Sequence, residues 1–317
     1  YNLASRSRPA LPAEPEPPLV NRRTLLLAVF GGAFALATVV GVALAVVALA
    51  RGGDLGVGGR VALVEIHGVL LDDSDLLEQL RRLRNDPTVR GYVVSINSPG
   101  GVVAPSQSIY RTLREIRDED GRPVVAAIGS VGASGGYYVA LGADSIYALP
   151  GSITGSIGVI MEFPNATELL DRIGFRMETV QSSEHKDIGS PFREMSEQDR
   201  ALLASLVDDV YDQFVDAVAA ERHLPREQVL EMADGRLFSG RQAIGNGLID
   251  AEGNIEDAIA AAGRMADLGD DPYVLRPPKP RIGLLDLLLQ GRSNLVGRVL
   301  GAGDALHGPT LKFVPSY

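Results

Sequence analysis

Residues 92–128 read YVVSINSPGGVVAPSQSIYRTLREIRDEDGRPVVAAI. Tyr92 to Ile96 is a short apolar run, the pattern of a buried strand. It ends in Asn97-Ser98-Pro99-Gly100-Gly101, a loop with strong turn chemistry. Ser106 to Arg117 has helical spacing, and Pro123 to Ile128 is a second apolar run. Strand, helix and strand in that order predict a parallel pair joined by a helical crossover. Working outward, Val61 to Ile66 (VALVEI) predicts another buried strand, and Gly68 lets the chain turn. Asp75 to Arg84 is an amphipathic helix with Leu76, Leu77, Leu80 and Leu83 on one face. Downstream, Gly132 to Ala140 reads as a turn running into a helix, and Ser145 to Ala148 as a short strand. Ala201 to Arg222 is a long amphipathic helix, and Arg241 to Gly247 starts a short one. Arg264 to Pro280 reads as a linker, Ile282 to Gln290 as a short apolar helix, and the rest as an irregular tail. The fold class is therefore α/β, a mostly parallel sheet with flanking helices.

The chain has 317 residues, 45% hydrophobic and 22% charged, which allows one large or two modest domains. A formal net charge of -10 argues against a nucleic-acid partner, whose phosphates need clustered Lys or Arg. Cysteine is absent, which removes disulfides, thiolate metal sites and a cysteine nucleophile. Only Lys186, Lys279 and Lys312 among the basic residues are lysines. No metal cluster or phosphate-binding motif is evident, so no cofactor is expected.

Thr24 to Ala50 carries no charged residue. About 20 residues cross a bilayer core, so this stretch predicts a transmembrane helix. Arg6, Arg8, Arg22 and Arg23 precede it; Arg51, Asp54 and Arg60 follow. That modest basic excess predicts a cytoplasmic N-terminus and an extracytoplasmic main domain at the cell membrane. The rival reading is a cleaved signal peptide, with Ala48-Leu49-Ala50 as the cleavage site. The run is much longer than a signal core of about 7–15 residues, which favours the anchor. The expected organisation is a disordered tail over 1–23, the anchor over 24–50, the main domain over 51–263 and a linker, helix and tail over 264–317.

Four segments carry candidate chemistry. Asn97–Gly101 follows a strand, where ligands of open α/β sheets bind, and its glycines let backbone N–H groups come close. In Ala133-Ser134-Gly135-Gly136-Tyr137-Tyr138 a serine stands before two glycines at an inferred helix start, which stabilises developing negative charge. Thr154-Gly155-Ser156-Ile157-Gly158-Val159 and His185-Lys186-Asp187-Ile188 are the others. Alone, each reads equally as a turn or a solvated charge. His67, His185, His223 and His307 have no evident Asp partner motif, so no Ser-His-Asp arrangement is visible.

In order and spacing these segments resemble the signal peptide peptidase A family. The resemblance runs from Val61 to Ala261 and includes NSPGG, ASGGYY, TGSIGV, HKDIGSPFRE, Asp234-Gly235-Arg236 and Gly240-Arg241-Gln242-Ala243. It implies a membrane-anchored serine endopeptidase on a Clp-protease/crotonase-like fold, with 51–263 as the peptidase domain. It implies Ser134 as nucleophile, Lys186 as general base and Ser156 as the hydroxyl that orients the lysine. Gly101 and Gly135 would supply the oxyanion N–H donors, and the peptide would lie extended along Pro99, Gly100, Val102 and Val103. Remnant signal peptides are the implied substrates. A ring-shaped homo-oligomer, in which serine and lysine come from neighbouring subunits, is the implied assembly. Ser–Lys pairs are an established variant of triad chemistry. The lysine must be neutral to accept a proton, far below its reference value of about 10.4. Burial supplies such a depression, so Lys186 is expected to be buried in the assembled site, with Ser156 satisfying its nitrogen. Rival readings are a membrane peptidase acting on stomatin-like proteins, a crotonase-type acyl-CoA enzyme and a non-catalytic scaffold.

Overall fold

The computed structural model describes residues 30–43, 58–276 and 312–313. The chain divides into two compact units, residues 1–58 and 59–317. In the first, helix α1 covers residues 30–43 and is exposed throughout, Phe30 and Phe34 included. Among the described residues no helix is long and apolar enough to cross a membrane. Residues 24–29 and 44–50 of the expected anchor lie outside the described residues.

The second unit is built on a largely parallel sheet. Its elements are β1 (Arg60–His67), α2 (Ser74–Arg84), β2 (Val89–Ser98), β3 (Gly101–Val102), α3 (Val103–Asp118), β4 (Val124–Ala133), α4 (Gly135–Ala140), β5 (Ser145–Ala148) and β6 (Ile153–Gly155). There follow α5 (Thr167–Arg172), α6 (Glu197–Arg222), α7 (Arg226–Met232), β7 (Leu237–Ser239), α8 (Gly240–Gly245), β8 (Ala251–Glu252), α9 (Ile255–Met265), β9 (Val274–Leu275) and β10 (Lys312–Phe313). The sheet runs β7-β6-β4-β2-β1-β9, with β5 beside β4 and β8 beyond β5. Every pairing in it is parallel except β6–β7. On its free flank β4 pairs first with β5, through Val125–Ile128, and then with β6, through Val131–Ala133. The strand thereby runs on toward the site.

The central strands are buried on both faces, which is why VALVEI and YVVSI read as unbroken apolar runs. Ala62, Val64 and Ile66 of β1 enter one core with Ile109 and Leu113 of α3 and Phe214 and Val218 of α6. Val61 and Leu63 point the other way and pack with Ala258, Ala261 and Ala262 of α9. Helix α9 starts on a capping box: Asn254 Oδ1 accepts from the Glu256 and Asp257 N–H groups, and Asp257 accepts from Asn254 N–H at 2.8 Å.

The expected linker is corrected here. The chain after α9 stays on the domain: Val274–Leu275 forms β9 on the edge of β1, and Tyr273 O accepts from Val61 N–H at 3.0 Å. The Arg60 guanidinium lies 5.2 Å from the Tyr273 ring centroid, a cation–π contact that fastens the same segment. The proposed helix over 282–290 lies outside the described residues. Residues 158–198, by contrast, form an arm with no buried residue.

Candidate active site

Ser134 sits between the last residue of β4 and the first of α4. Its backbone has φ 52° and ψ -118°, a left-handed conformation that costs a residue with a Cβ about 1–3 kcal/mol. Two features hold it there. Ser134 N–H donates to Gly155 O at 2.8 Å, and every residue of α4 is buried. Flanking glycines make the turn sterically feasible. A Cβ on Gly136 would lie 2.7 Å from Ser98 O, and one on Gly132 2.9 Å from the Ile128 side chain. Gly132-Ala133-Ser134-Gly135-Gly136 thus has the G-x-S-x-G spacing of a strained strand–serine–helix elbow. That pattern was available in the sequence and adds to the Ser-Gly-Gly reading. The Ser134 side chain is fully buried and its Oγ has no hydrogen-bond partner among the described residues. Native proteins leave few buried hydroxyls unsatisfied, and those few mark strain or catalysis.

The close approach of Gly136 to Ser98 O sets the first turn of α4 against the end of β2. Beyond it the NSPGG loop is rigid: Ser98 Oγ accepts from Gly100 N–H at 3.1 Å, and Gly100 has φ 108°. Leu70 N–H donates to Gly100 O at 2.8 Å, and Val102 N–H to Leu70 O at 2.7 Å. A Cβ on Gly101 would lie 2.1 Å from Leu70 O, so only glycine fits. The extended stretch is shorter than expected, because Gly101–Val102 forms β3 but Val103 already opens α3 and is buried. The backbone of β10 pairs antiparallel with β3, Lys312 opposite Val102 and Phe313 opposite Gly101.

Ser156 stands one residue past the carbonyl that fixes Ser134. It is buried, has φ 50°, and donates its N–H to Arg236 O at 2.8 Å. Gly155 has φ 80°, and a Cβ there would strike Phe238 at 2.6 Å. Ser134, Gly135 and Ser156 are therefore brought together by β4, β6 and α4.

Lys186 is not brought to them within one chain. It lies on the arm in a turn closed by Lys186 N–H to Ser183 O and Ile188 N–H to His185 O, both 3.2 Å. The residue is exposed, and its amine has no hydrogen bond or ion pair among the described residues. Its sequence neighbours are engaged instead. His185 Nδ1 lies 3.0 Å from Asp199 Oδ1, and Arg193 Nε and Nη2 each donate to Asp187 at 2.8 Å. Bonds from His185 and then Arg193 hold the Asp199 carboxyl well below the ordinary carboxylate value. This network was missed in the sequence. Among the described residues no His/Cys/Asp/Glu group could hold a metal ion.

The sequence pattern of peptidase family S49 matches residues 116–269, which include Ser134, Ser156 and Lys186. A putative protease of Synechocystis sp. is 39% identical over 70% of this chain and 81% of its own length. A putative signal peptide peptidase SppA of Enterococcus faecium is 34% identical over 67% of this chain, which spans 65% of that protein. Among solved structures, a ClpP1 variant from Listeria monocytogenes matches 62% of this chain and 94% of its own with TM-score 0.42 and 18% identity. The chain belongs to peptidase family S49, the family of the signal peptide peptidase A enzymes, and is a serine peptidase.

Proposed function

We propose that the protein is a membrane-anchored endopeptidase in which Ser134 attacks the peptide carbonyl and Lys186 of a neighbouring copy is the general base. One observation carries the reading: Ser134 is a fully buried serine in a left-handed elbow whose Oγ has no partner among the described residues. A strained residue with an idle hydroxyl persists only when the fold over-determines it, and such residues cluster at active sites. Attack moves the hydroxyl proton to the lysine amine, and the carbonyl oxygen becomes an oxyanion held by the Gly101 and Gly135 N–H groups. The protonated lysine then gives its proton to the leaving amine, and water hydrolyses the acyl-enzyme. The Gly135 N–H is suited to its part, because the first N–H groups of a helix have no intrahelical acceptor.

The arm supports a lysine in trans. Residues 158–198 contain no fully buried residue, and Leu169, Ile173, Phe175 and Val180 are apolar and exposed. Such a segment gains its apolar burial on another copy of the chain, where Lys186 leaves water and meets Ser156. The antiparallel pairing of β10 on β3 supports substrate entry as an added strand, since that edge accepts an extended segment. Remnant signal peptides are the proposed substrates, consistent with the name of the Enterococcus relative. The Clp-protease/crotonase-like arrangement, the ring assembly and the extracytoplasmic location belong to the same proposal. The uncharged run over 24–50 and its flanking arginines support the anchor. Membership in a peptidase family removes the acyl-CoA reading. The test is labelling of the membrane-extracted, assembled enzyme with a fluorophosphonate or β-lactone probe. Label on Ser134, absent from Ser134→Ala, is the expected result; an unlabelled but assembled protein overturns the proposal.

A further inference from the structure

The arm carries Lys186 on an exposed turn, and something must fix that turn for the amine to be placed. The residues on either side of the lysine do so. His185 Nδ1 lies 3.0 Å from Asp199 Oδ1, and Asp187 takes both prongs of Arg193 at 2.8 Å. Arg193 Nη1 also donates to Asp199 Oδ2 at 2.7 Å, which closes the chain of contacts. Asp199 is the anchor. It is in the first turn of the 26-residue helix α6, its side chain is 3% exposed, and its N–H donates to the Ser196 cap at 3.0 Å. A carboxylate in a first helical turn is stabilised by the helix dipole and the free N–H groups. Bidentate arginine–carboxylate bonds are among the most directional that side chains make.

The second consequence is electrostatic. A carboxylate paired with the Lys186 amine would favour its charged, useless form. The charged groups around the turn are Glu184, His185 and Asp187 on it, Arg193 and Glu194 on the return segment, and Glu197, Asp199 and Arg200 at the start of α6. Two of these carboxylates, Asp187 and Asp199, are both committed to Arg193, and Asp199 to His185 as well. The lysine amine is left without a carboxylate partner among the described residues.

We propose that Arg193 and Asp199 are positioning residues for Lys186: they clamp both sides of its turn to α6, and Arg193 occupies the nearby carboxylates so that the amine stays unpaired. The inference rests on the reading of Lys186 as general base. It is tested on the full-length, assembled enzyme by measuring kcat and KM for one peptide substrate across pH, with oligomer mass and melting temperature as controls. Arg193→Ala lowers kcat about 10–100-fold with little change in KM, because the base is misplaced rather than the substrate site. It also frees Asp187 and leaves Asp199 with His185 alone, so the pH of half-maximal activity moves up by about one unit. The double variant Arg193→Ala/Asp187→Asn brings that pH back toward wild type, which a merely structural role for Arg193 does not predict. Should Arg193→Ala fail to assemble, Arg193→Lys carries the test: it keeps the charge but not the fork, and kcat stays depressed. An Arg193 variant with wild-type kcat and an unmoved pH profile overturns the proposal, provided Lys186→Ala is inactive; an active Lys186→Ala overturns the underlying reading instead.

Discussion

A double-mutant cycle at Ser134 and Lys186 converts the idle hydroxyl into a number. Among the described residues Ser134 Oγ is buried without a partner, and an unsatisfied buried polar group costs about 1–3 kcal/mol. The backbone at φ 52° is equally strained for serine and alanine, so that contribution cancels in Ser134→Ala. In a Lys186→Ala background no amine reaches the hydroxyl, and Ser134→Ala removes only a liability. It stabilises by about 1 kcal/mol, or roughly 2–4 °C for a domain of this size. On the proposed dyad, Lys186 pairs with the hydroxyl across the interface, and the same change strands a buried amine. The gain disappears or reverses, giving a coupling of about 1–3 kcal/mol between the two residues. The assay is chemical denaturation of the four assembled forms at one protomer concentration, since assembly shifts apparent stability. Effects that add within about 0.5 kcal/mol refute contact between Ser134 and Lys186.

Three further outcomes follow from the same geometry. Gly101→Ala places a Cβ 2.1 Å from Leu70 O and 2.5 Å from Leu70 N, both backbone atoms that cannot swing aside. Such overpacking costs about 1–3 kcal/mol and displaces the proposed oxyanion donor, so kcat falls about 100-fold in protein that remains folded by circular dichroism. Deleting residues 309–317 removes β10 from the edge of β3 and lowers KM with kcat unchanged; an unchanged KM shows that the tail does not compete with substrate. Acid acts first on the arm. The Asp187 carboxyl is held below its usual 3.8 by Arg193, and Asp199 by His185 and Arg193. A depressed folded-state value contributes stability that is complete above the unfolded value and is lost as pH falls. Amides of residues 183–199 therefore lose hydrogen-exchange protection below about pH 4, before those of β2 and β4.

The sheet was legible because its central strands are buried on both faces, so VALVEI, YVVSI and PVVAAI stand out as apolar runs. Helix α9 went unread although Ala258, Ile259, Ala261 and Ala262 are buried at helical spacing against β1, β2 and β4. Strands β6 to β9 have two or three residues each, too few to show a period. Ser134 could be singled out from its local glycines, since the elbow is set within five residues. The relation of Lys186 to Ser134 could not be derived that way, because the arm has no core of its own to place it. The Arg193 network joins residues 6 apart to both Asp187 and Asp199, with no periodic signature to betray it.

The central claim is a serine and a lysine contributed by different copies of the chain. Subunit mixing tests it most directly. Ser134→Ala and Lys186→Ala proteins are each purified as inactive assemblies, dissociated, combined in equal amounts and reassembled. A site formed between neighbours then unites an intact serine with an intact lysine in about one quarter of cases, so about a quarter of wild-type peptidase activity returns. A mixture that reassembles fully and stays inactive contradicts the account, because it means that both groups must come from the same chain.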